Sequence, residues 1–196
     1  MIHYFSKRVA DFCLYKNVIA AERYALYVYG TELLISSFIS LLTLVIISII
    51  LGTFKESVLF FLAFVSLRKY TGGFHCKTYF KCNCMFIFTY LLCITALKTM
   101  TYFNLSRMIL FGCFFMASMI IVSFAPIENV NKPILENKKM RIKVYSILVF
   151  FIHLLVYVVF DRFRISCGMI IPITDFIVAI SMLLSFTTTE HNTEVN

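Results

Sequence analysis

A water-soluble domain needs charge at its surface, and this chain has little: 14% of its 196 residues are charged and 61% are hydrophobic, against roughly 25% charged in ordinary soluble domains. With a mean hydropathy of +0.89, that shortage excludes a soluble globular fold and predicts an integral membrane protein. No cleavable secretory signal is expected either. Residues 1–30 mix His3, Lys7, Arg8, Asp11, Lys16, Glu22 and Arg23 with aromatics and offer no small-residue cleavage site before the first apolar run. The first span is therefore expected to act as an uncleaved insertion signal. Seven cysteines, an odd number scattered through the apolar segments and one basic loop, form no disulfide framework and suit reduced thiols on the cytoplasmic side. Nor is there a basic domain outside the apolar runs, so the net charge of +8 excludes nucleic acid as a partner. It points to anionic lipid headgroups or an acidic peptide.

What the chain does have is long hydrophobic runs, at 33–51, 57–67, 84–97, 108–125, 144–160 and 168–186. Several approach the roughly 20 residues that span a bilayer. The second and third are short and could be re-entrant. The expected fold is thus all-α, a polytopic membrane bundle of about six transmembrane segments forming a single domain over 1–196. Basic residues alternate along it. The segments before the first run, after the second and after the fourth carry four, four and five Lys plus Arg, and the intervening ones carry one, two and two. By the positive-inside rule both termini, the 68–83 loop and the Pro126–Lys143 loop lie in the cytoplasm. Within 1–30, Ile2, Phe5, Val9, Phe12 and Cys13 recur at helical spacing, as in an amphipathic helix at the inner headgroup layer or packed under the bundle. Gly30 is the expected break before the first span. The tail, 187–196, is polar.

The run Arg68-Lys-Tyr-Thr-Gly-Gly-Phe-His-Cys-Lys-Thr-Tyr-Phe-Lys-Cys82 holds the chemistry. A thiol of ordinary pKa, near 8.5, is only slightly ionised at neutral pH. Lys81, Lys77, Lys69 and Arg68 favour the thiolate of Cys82, while His75 can take its proton and later return it to a leaving amine. On one straight helix these two residues would share a face, yet stand about 10.5 Å apart along the axis. Contact between them requires a bend, and Gly72 and Gly73 supply backbone freedom for one. Cys76 and Cys84 compete as nucleophiles. A zinc site from His75, Cys76, Cys82 and Cys84 lacks the usual chelating spacing, so no metal and no cofactor is expected.

Arg68, Gly73, His75 and Cys82 resemble, in identity and spacing, the motif of the accessory gene regulator B (AgrB) peptidases, bacterial membrane proteins of quorum sensing. Tyr29-Gly30-Thr31-Glu32, Phe124-Ala125-Pro126 and Lys132-Pro133 followed by a basic run resemble the same family, as do the length and span pattern. The resemblance implies a cysteine endopeptidase of the bacterial cytoplasmic membrane that processes a short amphipathic precursor with an acidic tail. Cys82 would be the nucleophile and His75 the base and then acid, with Arg68 and Gly73 in support and a homodimer as the family expectation. Glu32 is a further supporting candidate, able to orient His75 or pair with Arg68. Lys132, Lys138 and Lys139 could hold the acidic segment. The rival is a non-catalytic peptide exporter or adaptor. Two ionisable residues lie inside apolar runs. Asp175 is expected to cap backbone groups freed by Pro172, and His153 to pack between helices.

Overall fold

The computed structural model describes residues 2–72, 78–103, 107–127 and 136–193, and these form helices and turns with no strand. Seven α-helices follow in order: α1 (Ile2–Tyr15), α2 (Tyr24–Ile50), α3 (Phe54–Thr71), α4 (Tyr79–Tyr102), α5 (Arg107–Phe124), α6 (Glu136–Arg162) and α7 (Ile170–Thr193). Each of the six apolar runs became a helix, so the all-α bundle expected from the sequence is the fold observed. Four helices, α2, α4, α6 and α7, are long and apolar enough to cross a membrane, and α5 is a shorter apolar helix.

The helices reach beyond the hydrophobic runs, and the additions matter for function. The third run was read as doubtful, but α4 has 24 residues because it starts at Tyr79 and continues past Lys98. That places Cys82 in the first turn of a helix instead of in a loop. Thr78 is a bend outside the helix, and the approach of His75 to Cys82 lies outside the described residues. The basic run 138–143 is likewise helical, forming the opening turns of α6. Gly30 breaks nothing and lies inside α2. The break falls earlier, where Asn17 takes φ 54, a left-handed conformation that asparagine tolerates better than most residues. The C-terminal segment stays helical through Thr193.

By its internal contacts the chain divides into two compact units, Met1–Ile47 with Cys76–Phe88 and Ser48–His75 with Thr89–Asn196. In the first unit, α1 leaves Phe5, Val9 and Phe12 exposed while Ser6 and Ala10 are buried. Its apolar stripe is uncovered, as on a helix that turns that face to a bilayer.

In the second unit, α7 packs most extensively on α5 and α3, and α3 also packs on α6. Small residues, Ala63, Ala117 and Ala179, are all but fully buried and let the helix backbones approach closely. Aromatics fill the rest. Phe114 lies 5.5 Å from Phe150 and 5.4 Å from Tyr157, and Phe60 lies 5.2 Å from Tyr90 between ring centroids. Ser57, Thr71, Ser146, His153, Thr174 and Asp175 are buried, whereas Leu92, Phe115, Phe151 and Leu155 are exposed. This inversion of the soluble pattern suits a protein whose solvent is lipid, where polar groups must find partners inside the bundle.

Candidate active site

Cys82 sits on the fourth residue of α4, exposed to solvent. Its amide donates to the Thr78 carbonyl at 3.1 Å. Its place in the first turn sets the thiol at the positive end of the helix dipole, where negative charge is favoured, with Lys81 exposed beside it. Cys84 is exposed too. At 100° per residue, however, the two thiols flank Asn83 at about 100° on opposite sides of the helix.

What fixes the rotation of that turn is a pair of polar contacts to α2. Tyr79 donates its hydroxyl to Glu32 Oε2 at 2.9 Å, and Glu32 Oε1 is also bonded to His3 Nδ1 of α1. One turn further on, Ser36 donates to Asn83 Oδ1 at 3.0 Å, and Asn83 Nδ2 faces the Ser36 carbonyl at 3.4 Å. Glu32 is therefore engaged by a histidine, but it is His3. The sequence offers no sign of these roles for Tyr79, Asn83 and Ser36, and His3 stands out there only as one of the polar residues of 1–30. Glu32 with Ser36, and Tyr79 with Asn83, are both four residues apart, so each pair makes a polar stripe on an otherwise apolar helix.

In the other unit, Arg68 lies in the last turn of α3. It donates from Nη1 to Ser181 Oγ of α7 at 2.8 Å and places its guanidinium 5.9 Å from the Phe64 ring centre. The helix then ends at Gly72, with φ 75 and ψ −152, a conformation that residues with a Cβ scarcely reach. A Cβ there would lie 2.5 Å from the Ile127 carbonyl oxygen, and the Ile127 amide donates to the Thr71 carbonyl at 3.0 Å. The backbone turn expected of Gly72 is thus present and pinned by the Ala125–Ile127 segment. Gly73, His75, Cys76 and Lys132 lie outside the described residues. On α6, Lys138 is exposed and Lys139 half-buried.

A second polar cluster is buried between α3, α6 and α7. His153 Nδ1 meets Asp175 Oδ1 at 2.9 Å and Oδ2 at 3.2 Å, and Nε2 meets Ser66 Oγ at 3.0 Å. Asp175 is fully buried and His153 is 9% exposed. The expectation that Asp175 caps backbone freed by Pro172 gives way to this pairing. Pro172 is the third residue of α7, where the amide has no intrahelical partner to lose. The order of groups is that of a hydrolase triad, but Ser66 donates to the carbonyls of Leu62 and Ala63. A serine bonded to its own helix in this way is a packing element, and the cluster ties three helices together. A separate cavity of about 410 Å³, lined by Thr53, Glu56, Ile94, Lys98 and Tyr102 among others, presents no cysteine or histidine among the described residues that line it.

The profile of one protein family, described as accessory gene regulator B, matches residues 1–188. The chain is a member of the accessory gene regulator B family. It is 30% identical to AgrB-like protein 2 of Clostridium perfringens (strain 13 / Type A) over 164 residues, 81% of this chain and 76% of the relative. Against an AgrB-like protein of C. perfringens strain SM101 it is 31% identical over 157 residues, 77% of this chain and 71% of the relative. The accessory gene regulator protein B of Staphylococcus intermedius is 25% identical over 141 residues, covering 72% and 69%. No solved structure matches. Membership, together with the apolar helices, makes the chain a multi-pass membrane protein of the accessory gene regulator system.

Proposed function

We propose that this AgrB family member is a membrane cysteine endopeptidase that removes the C-terminal tail of a quorum-sensing precursor peptide. The reading rests above all on one observation: a family match over 1–188 that includes the His75/Cys82 motif. His75 takes the Cys82 proton as the thiolate attacks the carbonyl carbon of one peptide bond. The C–N bond breaks, the amine of the released tail leaves with the proton from His75, and the N-terminal part of the precursor remains as a thioester on Cys82. A cysteine or serine within that part then attacks the thioester, closing a thiolactone or lactone and returning the Cys82 thiol.

Exchanging an amide for a thioester is uphill, and water would hydrolyse the intermediate before cyclisation. A site at the membrane boundary limits bulk water, and withdrawal of product draws the exchange forward. Arg68 and Gly73 support the site, while Lys132, Lys138 and Lys139 hold the acidic end of the peptide. In this reading both termini and the motif face the cytoplasm, anionic lipid holds the basic segments, and two copies form a homodimer.

The experiment uses the full chain in lipid vesicles with a short amphipathic precursor peptide that carries an acidic C-terminal tail. Intact-mass measurement is expected to show tail release and a precursor fragment attached to Cys82. Normal release by a Cys82→Ala protein would reject the assignment. Peptide bound or moved across the vesicle without any new fragment would favour the exporter instead.

A further inference from the structure

The two contacts between α2 and α4 carry more than their sequence signal suggested. Both are side-chain bonds within a pair of apolar helices, spaced one turn apart on each. Ser36 is 4% exposed and the Glu32 side chain 13%, so these bonds exchange little with water. The turn they grip is the weakest part of any helix, since its first amides have no intrahelical partner and the end frays. It is also the turn that bears Cys82.

We propose that Glu32, Ser36, Tyr79 and Asn83 are positioning residues, two rungs that lock the first turn of α4 on α2 and so aim the Cys82 thiol. His3 extends the same hold to the surface helix α1. The assignment to Cys82 rests on the peptidase reading. Around the axis Cys82 lies about 60° from Tyr79 and about 100° from Asn83. With both neighbours tied, any rotation or unwinding of the turn that would re-aim the Cα–Cβ bond of Cys82 breaks a rung, which leaves only the χ1 rotamers of the side chain itself. Displacing a reacting group by about 1 Å can cost about 100-fold in rate, so two hydrogen bonds far from the bond being cleaved are enough to matter.

The rungs differ in chemistry. At the first, the Glu32 carboxylate accepts from Tyr79 and bonds His3. Glu32→Gln keeps an oxygen for Tyr79 and an amide donor for the imidazole, whereas Glu32→Ala keeps neither. At the second, Ser36→Ala removes the hydroxyl that donates to Asn83. A merely structural contact would respond to these changes in stability alone. A positioning contact also moves kcat.

The test takes the full chain in lipid nanodiscs and reads hydrogen exchange along α4 together with cleavage of the same amphipathic precursor peptide. In the double variant Tyr79→Phe/Ser36→Ala, amides 82–86, the first with partners inside the helix, should exchange faster while the second half of α4 is unchanged. There kcat should fall about tenfold to a hundredfold with KM within about twofold. Glu32→Gln should recover most of the kcat lost in Glu32→Ala. Unchanged exchange in the double variant overturns the proposal, as does faster exchange with full kcat. If Cys82→Ala still cleaves, the nucleophile reading fails and the assignment of the rungs to Cys82 falls with it. The exchange data then report separately whether the rungs hold α4.

Discussion

Two polar networks cross apolar helices in this protein, and they are built for opposite ends. The Ser66–His153–Asp175 cluster is closed at its His153–Asp175 end. Its carboxylate is fully buried, both ring nitrogens are engaged, and its serine is bonded back to its own helix. The Glu32–Tyr79 and Ser36–Asn83 rungs stand at a helix end, beside an exposed cysteine and next to the sequence motif. In lipid an unpaired polar group is costly, so both networks are paired. Only the second leaves a reactive group facing outward. Intramembrane ionisable residues are by default functional suspects, yet here the deeper pair is the one without an open position for a substrate.

Substitutions can break that contrast, and the largest effect is expected at the exposed end. Cys82→Ala should abolish precursor cleavage while leaving the thermal unfolding midpoint within about 1 °C, since replacing an exposed surface side chain usually changes stability by less than about 0.5 kcal/mol. A collapse of the midpoint would make Cys82 a packing residue instead. Gly72→Ala is next. Its backbone conformation excludes a Cβ, and the Ile127 carbonyl occupies the space one would need. A loss of about 3 kcal/mol is expected from the strained conformation, read in chemical or thermal unfolding in detergent. Cleavage should drop as well, because Gly72 begins the segment that leads to His75. Unchanged unfolding would show that the end of α3 can repack.

How much of this was legible beforehand varies with the physics involved. Six hydrophobic runs specified six helices, because length and hydrophobicity alone decide what lipid will accept. The helix ends were less visible. Tyr79–Asn83 and Lys138–Lys143 carry too much polarity to score as apolar, yet both are helical, since a helix continues for as long as its backbone bonds can form. Cys82 stands out as a candidate by its chemistry and its spacing from His75. Its partners by position were not found, because no local signal joins Ser36 to Asn83 across 47 residues. His153 and Asp175 each stand out as anomalies, and a separation of 22 positions hides the fact that they explain one another.

The Ser66–His153–Asp175 cluster supplies the finer tests. Asp175→Ala strands His153 Nδ1 in an apolar interior, a penalty of about 1–3 kcal/mol for a buried group left unpaired. Asp175→Asn, whose amide oxygen can still accept from the ring, should cost visibly less. Ser66→Ala is the smallest change and the most discriminating. It removes the partner of Nε2, a position only half-buried at the edge of α3. Interhelical hydrogen bonds in membranes average about 0.6 kcal/mol, so unfolding should shift barely at all. Cleavage should stay at the wild-type rate, because a serine whose hydroxyl is bonded to the Leu62 carbonyl is not poised to attack. A folded Ser66→Ala protein without peptidase activity would reverse the comparison, since the buried cluster would then be part of the chemistry and the exposed thiol could no longer account for it alone.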